Sequence, residues 1–145
     1  MILYLDTRAL IKKYFKELGS DEVISQWKNS NGIFISSVAY AETVASIHRK
    51  KREMGGRSER LVRALHSFQK DWKSFIRVEV NDNLNEVIDK IITKHPLRGF
   101  DAIHLASALI AYERLSEDFL FACFDRKLIQ AAQMEGLETL PKSIE

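Results

Sequence analysis

Cysteine, proline and glycine are all scarce in this chain, and each scarcity excludes a class of protein. Its 145 residues include one cysteine, two prolines and six glycines. A single cysteine rules out an intrachain disulfide framework and any cysteine-rich zinc site. So few prolines and glycines exclude collagen and long disordered linkers. The length and composition that remain are those of one globular domain, residues 1–145.

Net charge and long apolar runs are equally limited. Lys and Arg number 22 against 20 Asp and Glu, so the formal net charge is +2. That balance excludes histone-like binding driven by total charge, but it leaves room for a local basic patch. No stretch approaches the roughly 18 apolar residues of a membrane span, and the start lacks a basic targeting segment. We therefore expect a cytoplasmic protein without a membrane partner.

Short apolar runs alternate along the chain with helical patterns. Strands are predicted at residues 2–5, 33–35, 75–80, 119–124 and 137–140, with helices between them. This alternation predicts an α/β fold, a three-layer α/β/α arrangement with a central parallel sheet. The first helix is expected from Thr7 to Leu18. A helical hairpin is expected around residues 38–75, and its polar part, residues 49–72, is expected to stand off the core. The apolar stripe within it is most simply read as core: Leu61, Leu65, Phe68 and Trp72.

Two predicted strands end in an aspartate, Asp6 after the first strand and Asp125 after the fourth. A single aspartate at such a place is commonly the cap of the following helix. In open parallel sheets, however, ligands bind beyond the carboxyl ends of the strands. If these two strands are neighbours, both carboxylates meet at that edge of the sheet and form a candidate site.

Two further acids stand in apolar surroundings. Glu42 lies in a helical segment with almost no other charge, and Asp101 lies near the start of a helix that is apolar nearly all round. A buried carboxylate without a partner is costly, so each acid requires a cap, a cation or a metal. Capping is the plain explanation for Asp101, and an ion pair is the plain explanation for Glu42.

Carboxylates that converge repel one another, and divalent cations remove that repulsion. Mg²⁺ takes hard oxygen ligands, commonly one or two carboxylates with water or phosphate in the other positions. One or two such ions activate water and neutralise charge on a phosphodiester. The four acids therefore predict a Mg²⁺ or Mn²⁺ site, although their spacing alone does not establish that they converge.

Four segments of the chain resemble, in order, the four acidic motifs of the PIN-domain family. They span nearly the whole sequence and contain the four acids: LYLDTRAL (3–10), SSVAYAE (36–42), LRGFDAIHLA (97–106) and FACFDRKL (121–128). The short single-domain form looks most like the VapC-type toxins of prokaryotic toxin–antitoxin pairs. The resemblance implies a PIN-like domain over residues 1–145.

The resemblance also implies an activity and partners. It implies a metal-dependent endoribonuclease, the toxin of a type II pair, with an RNA substrate, a cognate antitoxin protein and a homodimeric state. Its catalytic and metal-binding residues would correspond to Asp6, Glu42, Asp101 and Asp125. The three aspartates would hold Mg²⁺ or Mn²⁺ directly or through water, and Glu42 would hold a metal or orient the water. Metal-activated water would attack phosphorus in line, a route that needs no 2′-hydroxyl.

One position departs from the family pattern. A small hydroxyl residue often stands two positions after the first acid, where this chain has Arg8, preceded by Thr7. Three outcomes are open for Arg8: it competes with metal, contacts an RNA phosphate, or points away along the helix. Arg98 and Arg126, each close to a candidate acid, join Arg8 and Thr7 as candidates for RNA contact.

His104, one turn after Asp101, admits two interpretations. It is either a general acid or base, or an ordinary packed and hydrogen-bonded histidine, and the metal mechanism does not require the first.

Three other function classes lack the residues they need. A receiver domain needs a carboxylate pair after its first strand, an aspartate-nucleophile phosphatase needs Asp-x-Asp, and a phosphate loop needs Gly-Lys-Ser/Thr; the sequence has none of these. A non-catalytic PIN-like module that binds RNA or protein stays open as the alternative. The presence of all four acids counts against that alternative, and Arg8 counts slightly for it.

Overall fold

Residues 1–55 and 58–143 are described by a computed structural model, in which a parallel sheet is flanked by helices. The described residues form five strands: β1 Ile2–Leu5, β2 Gly32–Ser36, β3 Ile76–Val78, β4 Phe119–Ala122 and β5 Glu138–Leu140. They also form seven α-helices: α1 Thr7–Ile11, α2 Ser20–Asn29, α3 Ala39–Glu53, α4 Glu59–Trp72, α5 Asn85–Lys94, α6 Gly99–Arg114 and α7 Arg126–Met134. Within this part of the chain, no helix is long and apolar enough to cross a membrane.

The central strand of the sheet is β1. The strand order is β3-β2-β1-β4-β5, and every neighbouring pair is parallel. In the register of β1 with β4, Leu5 lies opposite Ala122, the last residue of β4. The backbone N–H of Asp6 continues this ladder and donates to the Ala122 carbonyl at 3.1 Å. The strands that precede Asp6 and Asp125 are therefore neighbours, which is the condition for the candidate site.

Side chains of β1 alternate between two apolar cores, one on each face of the sheet. Ile2 and Tyr4 pack in a core with residues of α5, α6 and α7. Leu3 and Leu5 pack in the opposite core with residues of α1, α2, α3 and α4. A strand covered on both faces reads as a continuous apolar run, which is why its sequence lacks alternation. The two cores and the sheet between them confirm the predicted three-layer α/β/α fold.

The hairpin expected around residues 38–75 is present as α3 and α4, but it does not stand off the core. In α4, Leu61, Ala64 and Phe68 are buried against the core that also contains Leu3 and Leu5 of β1. For α4 the expectation is wrong, because its charged residues occupy the outer face, whereas its apolar stripe faces the core. The predicted stretch also includes residues 56 and 57, which lie outside the described residues.

The first helix is shorter than predicted. α1 ends at Ile11, and turns lead from there to Gly19, which precedes α2. Gly19 has a φ of 94°, and a Cβ at this position would lie 2.6 Å from the Phe124 ring, so both conformation and space require glycine. Leu18 is 94 % exposed, so the apolar spacing that predicted a longer helix does not reflect burial there.

We predict that Phe68→Ala lowers the free energy of unfolding by about 3–5 kcal/mol, because it removes a fully buried ring. The ring centroid of Phe68 lies 5.3 Å from that of Tyr40 and 5.7 Å from that of Trp72, so the cavity cannot close easily. The control is Val62→Ala on the same helix, where the side chain is 44 % exposed. Urea denaturation followed by circular dichroism measures both variants. Equal, small effects would contradict the packing of α4 on the core.

Candidate acidic site

Asp6 is buried at the carboxyl end of the central strand. Its side chain caps α1 by accepting the backbone N–H of Ala9 at 2.8 Å, and the residue is 3 % exposed. Burial raises the pKa of the Asp6 carboxyl to about 6, although His104, the Ala9 N–H and Arg8 oppose the shift. The carboxylate of Asp101 adds to the increase. Capping thus accounts for one Asp6 oxygen, but it does not compensate for the burial of the charge.

Glu42 lies in the first turn of α3, and two side chains hold its carboxylate. The Thr7 hydroxyl donates to Oε1 at 2.6 Å, and His104 Nε2 lies 3.0 Å from the same oxygen. Burial alone would raise the pKa of Glu42, but the hydrogen bonds from His104 and Thr7 lower it below its ordinary value. Glu42 therefore stays ionised and is held in one direction. The predicted ion-pair explanation holds only in part, because one of its two partners is a hydroxyl.

His104 is 2 % exposed and contacts a partner through each ring nitrogen. Its Nδ1 lies 3.2 Å from the Tyr4 hydroxyl on β1, and its Nε2 faces Glu42. Because a carboxylate only accepts, we assign a proton to Nε2, which donates to Glu42. This geometry favours the hydrogen-bonded interpretation of His104 over that of a general acid or base, since neither nitrogen is free to meet a substrate.

Asp101 lies in the first turn of α6 and lines the same cavity as Asp6 and Glu42. This cavity has a volume of about 170 Å³, and its lining consists of Asp6, Thr7, Arg8, Glu42, Arg98, Phe100, Asp101 and His104. Burial raises the pKa of Asp101; Arg8 counteracts the shift, and the charge on Asp125 adds to it. The pKa of Asp101 therefore depends on both the Arg8 guanidinium and the Asp125 carboxylate.

Asp125 precedes α7 and caps it, accepting the Leu128 N–H at 3.0 Å. Its other oxygen accepts from Arg8 Nη1, also at 3.0 Å. Burial would raise the pKa of Asp125, but the Leu128 N–H and Arg8 bring it below its ordinary value. Asp125 lines a second cavity of about 480 Å³, together with Arg98, Asp101, Arg126 and Lys127 among others. Arg98 and Asp101 line both cavities, so the four acids surround two adjoining spaces.

Thr7 and Arg8 are neighbours in sequence but donate hydrogen bonds to different acids. Thr7 is buried and supplies a hydroxyl to Glu42, whereas the Arg8 side chain is 49 % exposed and reaches Asp125. Arg8 therefore does not point away along the helix, and the two other outcomes predicted for it stay open. In this chain the side-chain hydroxyl lies one position after the first acid, at Thr7.

The four carboxylates have the hard oxygen atoms that a divalent cation prefers, and they line adjoining cavities at the sheet edge. Among residues 1–55 and 58–143, however, no group of three or more His, Cys, Asp or Glu side chains is arranged so that it could hold a metal ion. Asp125 accepts a hydrogen bond from Arg8, and Glu42 accepts two. Coordination of an ion would therefore require these carboxylates to rotate.

Two residues absent from the predicted site adjoin it: Tyr4 contacts His104, and Phe100 lines the cavity. For Tyr4 the available signal was a hydroxyl within an otherwise apolar central strand, where a buried donor needs a partner. For Phe100 no signal was available, because its 56 % exposure depends on how α6 meets the cavity.

Comparison with known proteins agrees with the resemblance drawn from the motifs. The sequence profile of the PIN domain matches residues 3–133, a range that includes all four acids. Ribonuclease VapC45 from Mycobacterium tuberculosis (strain CDC 1551 / Oshkosh) is 26 % identical over 144 residues, which cover 99 % of this chain and 98 % of that protein.

Two solved structures share the fold. PAE2754 from Pyrobaculum aerophilum matches with a TM-score of 0.69 and 18 % identity, over 97 % of this chain and 90 % of that one. A toxin–antitoxin complex from Klebsiella pneumoniae matches with a TM-score of 0.66 and 17 % identity, over 98 % of this chain and 99 % of that one. The three-layer architecture is therefore common to all three chains.

The raised pKa of Asp6 predicts a pH-dependent gain in stability for Asp6→Asn. The folded state favours protonated Asp6, so its contribution to stability is fully present below the ordinary pKa of 3.8 and is lost as pH rises through about 6. Asn cannot ionise and still caps a helix. We expect Asp6→Asn, relative to wild type, to be more stabilising at pH 7.5 than at pH 4, by on the order of 2 kcal/mol.

Urea denaturation at both pH values, with EDTA present, measures this difference. The same effect of Asp6→Asn at pH 4 and pH 7.5 would contradict the buried, charge-disfavouring environment of Asp6.

Proposed function

The chain belongs to the PIN domain family, and we propose that it is a metal-dependent endoribonuclease, the toxin of a type II toxin–antitoxin pair. One observation carries the proposal: the carboxylates of Asp6, Glu42, Asp101 and Asp125 line adjoining cavities at the carboxyl edge of the sheet. A concentration of acids at this edge is suited to binding cations beside a ligand. The relative named as a ribonuclease supports the same activity.

Mg²⁺ or Mn²⁺ is the proposed cofactor, held by Asp6, Asp101 and Asp125, with Glu42 as a further ligand or as the group that orients water. When bound, the ion would lower the pKa of water and neutralise charge on a phosphodiester. Within the chain, Thr7 and His104 keep Glu42 ionised and directed into the cavity. Protonation of Asp6 and Asp101 opposes metal binding, so affinity for the ion rises with pH.

RNA is the proposed substrate, and its backbone would meet cations at the rim of the two cavities. Arg98 lines both cavities and Arg126 lines the one that contains Asp125, so these two side chains are proposed to contact phosphates. Arg8 is proposed to join them only after it leaves Asp125. A cognate antitoxin protein and a second copy of this chain are the proposed partners, and the match to a toxin–antitoxin complex supports the first.

One observation favours the alternative, a non-catalytic module that binds RNA or protein. The guanidinium of Arg8 donates to Asp125 and therefore supplies positive charge where a metal would supply it. If that bond persists when divalent ions are present, the acids are structural, and the chain binds without cutting.

We predict that Asp101→Asn abolishes cleavage of a mixed pool of structured RNAs in Mn²⁺, with a loss of at least about 100-fold, because it removes a charged ligand. Asp118→Asn is the matched control: Asp118 is exposed and precedes β4, so it lies at the opposite edge of the sheet. EDTA should stop cleavage by the wild-type protein. Cleavage that survives both EDTA and Asp101→Asn would contradict the four-acid mechanism.

A second prediction follows from the ion pair of Arg8 with Asp125. We expect Arg8→Ala to bind Mn²⁺ roughly fivefold more tightly than wild type, because a competing cation beside the acids is removed. Arg114→Ala, at the far end of α6, makes the same change in net charge and should leave affinity within about twofold. Isothermal titration calorimetry measures all three proteins. Weaker binding by Arg8→Ala would mean that Arg8 orients Asp125 for the metal instead of competing with it.

A further inference from the structure

An exposed aromatic ring stands at the rim of the acidic cavity. Phe100 directly precedes Asp101 in the first turn of α6, lines the same cavity and is 56 % exposed. It is the one apolar side chain among the described residues that line this cavity. The other large exposed apolar side chains, such as Leu18 and Met54, lie outside it. Packing therefore does not account for the position of this ring.

The residues beside Phe100 have the chemistry that recognises a nucleotide. Arg98, two residues earlier, carries a guanidinium suited to phosphate and lines both cavities. Asp101, the next residue, is one of the four acids. An aromatic face, a cation and the acidic cavity thus adjoin one another at the start of a single helix. A nucleotide presents the matching pair of groups, an apolar base face and an anionic phosphate.

We propose that Phe100 is a base-stacking platform for an unpaired base next to the bond that is cut. This inference rests on the proposed ribonuclease function and adds to it a substrate-contacting side chain outside the four acids. A base within a duplex is already stacked on both faces, whereas an unpaired base offers a face to an aromatic side chain. Every base has such a face, so Phe100 selects for an unpaired strand and not for a sequence.

The test compares binding of a fluorescein-labelled single-stranded RNA of mixed sequence with binding of the same strand annealed to its complement. Fluorescence anisotropy in EDTA reports binding without cutting. Phe100→Leu keeps an apolar side chain but removes the ring face, and we expect it to weaken single-strand binding roughly tenfold. Phe100→Trp keeps a ring and should retain wild-type affinity. Neither variant should change duplex binding.

Tyr112→Leu is the matched control. Tyr112 lies on the same helix, is 40 % exposed, and is about 18 Å away along the helix axis. Its removal should leave both affinities unchanged, and circular dichroism checks that each variant is folded. In Mn²⁺, Phe100→Leu should raise KM for the single strand by a similar factor, with little change in kcat.

Equal single-strand binding by Phe100→Leu and wild type overturns the platform, and the exposed ring would then be assigned to a protein partner. If the wild-type protein also cuts RNA in Mn²⁺, the ribonuclease function stands without the platform. A wild-type protein that neither binds nor cuts RNA overturns both proposals together. Equal losses for the single strand and the duplex would overturn the selection for unpaired bases.

Discussion

Repulsion between carboxylates at a partly buried edge of the sheet is the constraint on which the site depends. β1 and β4 are neighbours, so Asp6 and Asp125, which follow them, line adjoining cavities, and burial works against their ionisation. The pKa values of Asp6 and Asp101 are raised, whereas those of Glu42 and Asp125 are lowered. Side-chain donors contribute to this difference, since Glu42 accepts from Thr7 and Asp125 accepts from Arg8. Asp6 accepts only the backbone N–H of Ala9, and its deeper burial outweighs that bond.

Consecutive residues of α1 supply part of that stabilisation. Thr7 donates to Glu42 from the buried side of the helix, and Arg8 donates to Asp125 from the exposed side. Behind Glu42, His104 is held in turn by Tyr4 of the central strand. The arrangement fixes Glu42 rigidly, since its partners are buried, and fixes Asp125 loosely, since Arg8 is half-exposed. A cation that enters the site would therefore compete with Arg8 more easily than with His104.

Much of the fold could be predicted from sequence because buried strands and amphipathic helices leave periodic patterns. A local pattern does not, however, specify which surfaces pack against each other. Exposure of Leu18 and burial of α4 depend on which surface each element meets, so the length of α1 and the packing of α4 were mispredicted. The four acids could be singled out by their apolar surroundings. The direction of Arg8 could not, because its partner lies 117 residues away along the chain.

The central claim is that the acids act on RNA through metal-activated water and not through the ribose 2′-hydroxyl. The chemistry of the newly formed RNA ends tests this most directly. Mass spectrometry of the products formed in Mn²⁺ should find a linear phosphate and a hydroxyl, and an RNA methylated at the 2′-oxygen of the cleaved nucleotide should still be cut. A 2′,3′-cyclic phosphate, formed equally well in EDTA, would contradict the account.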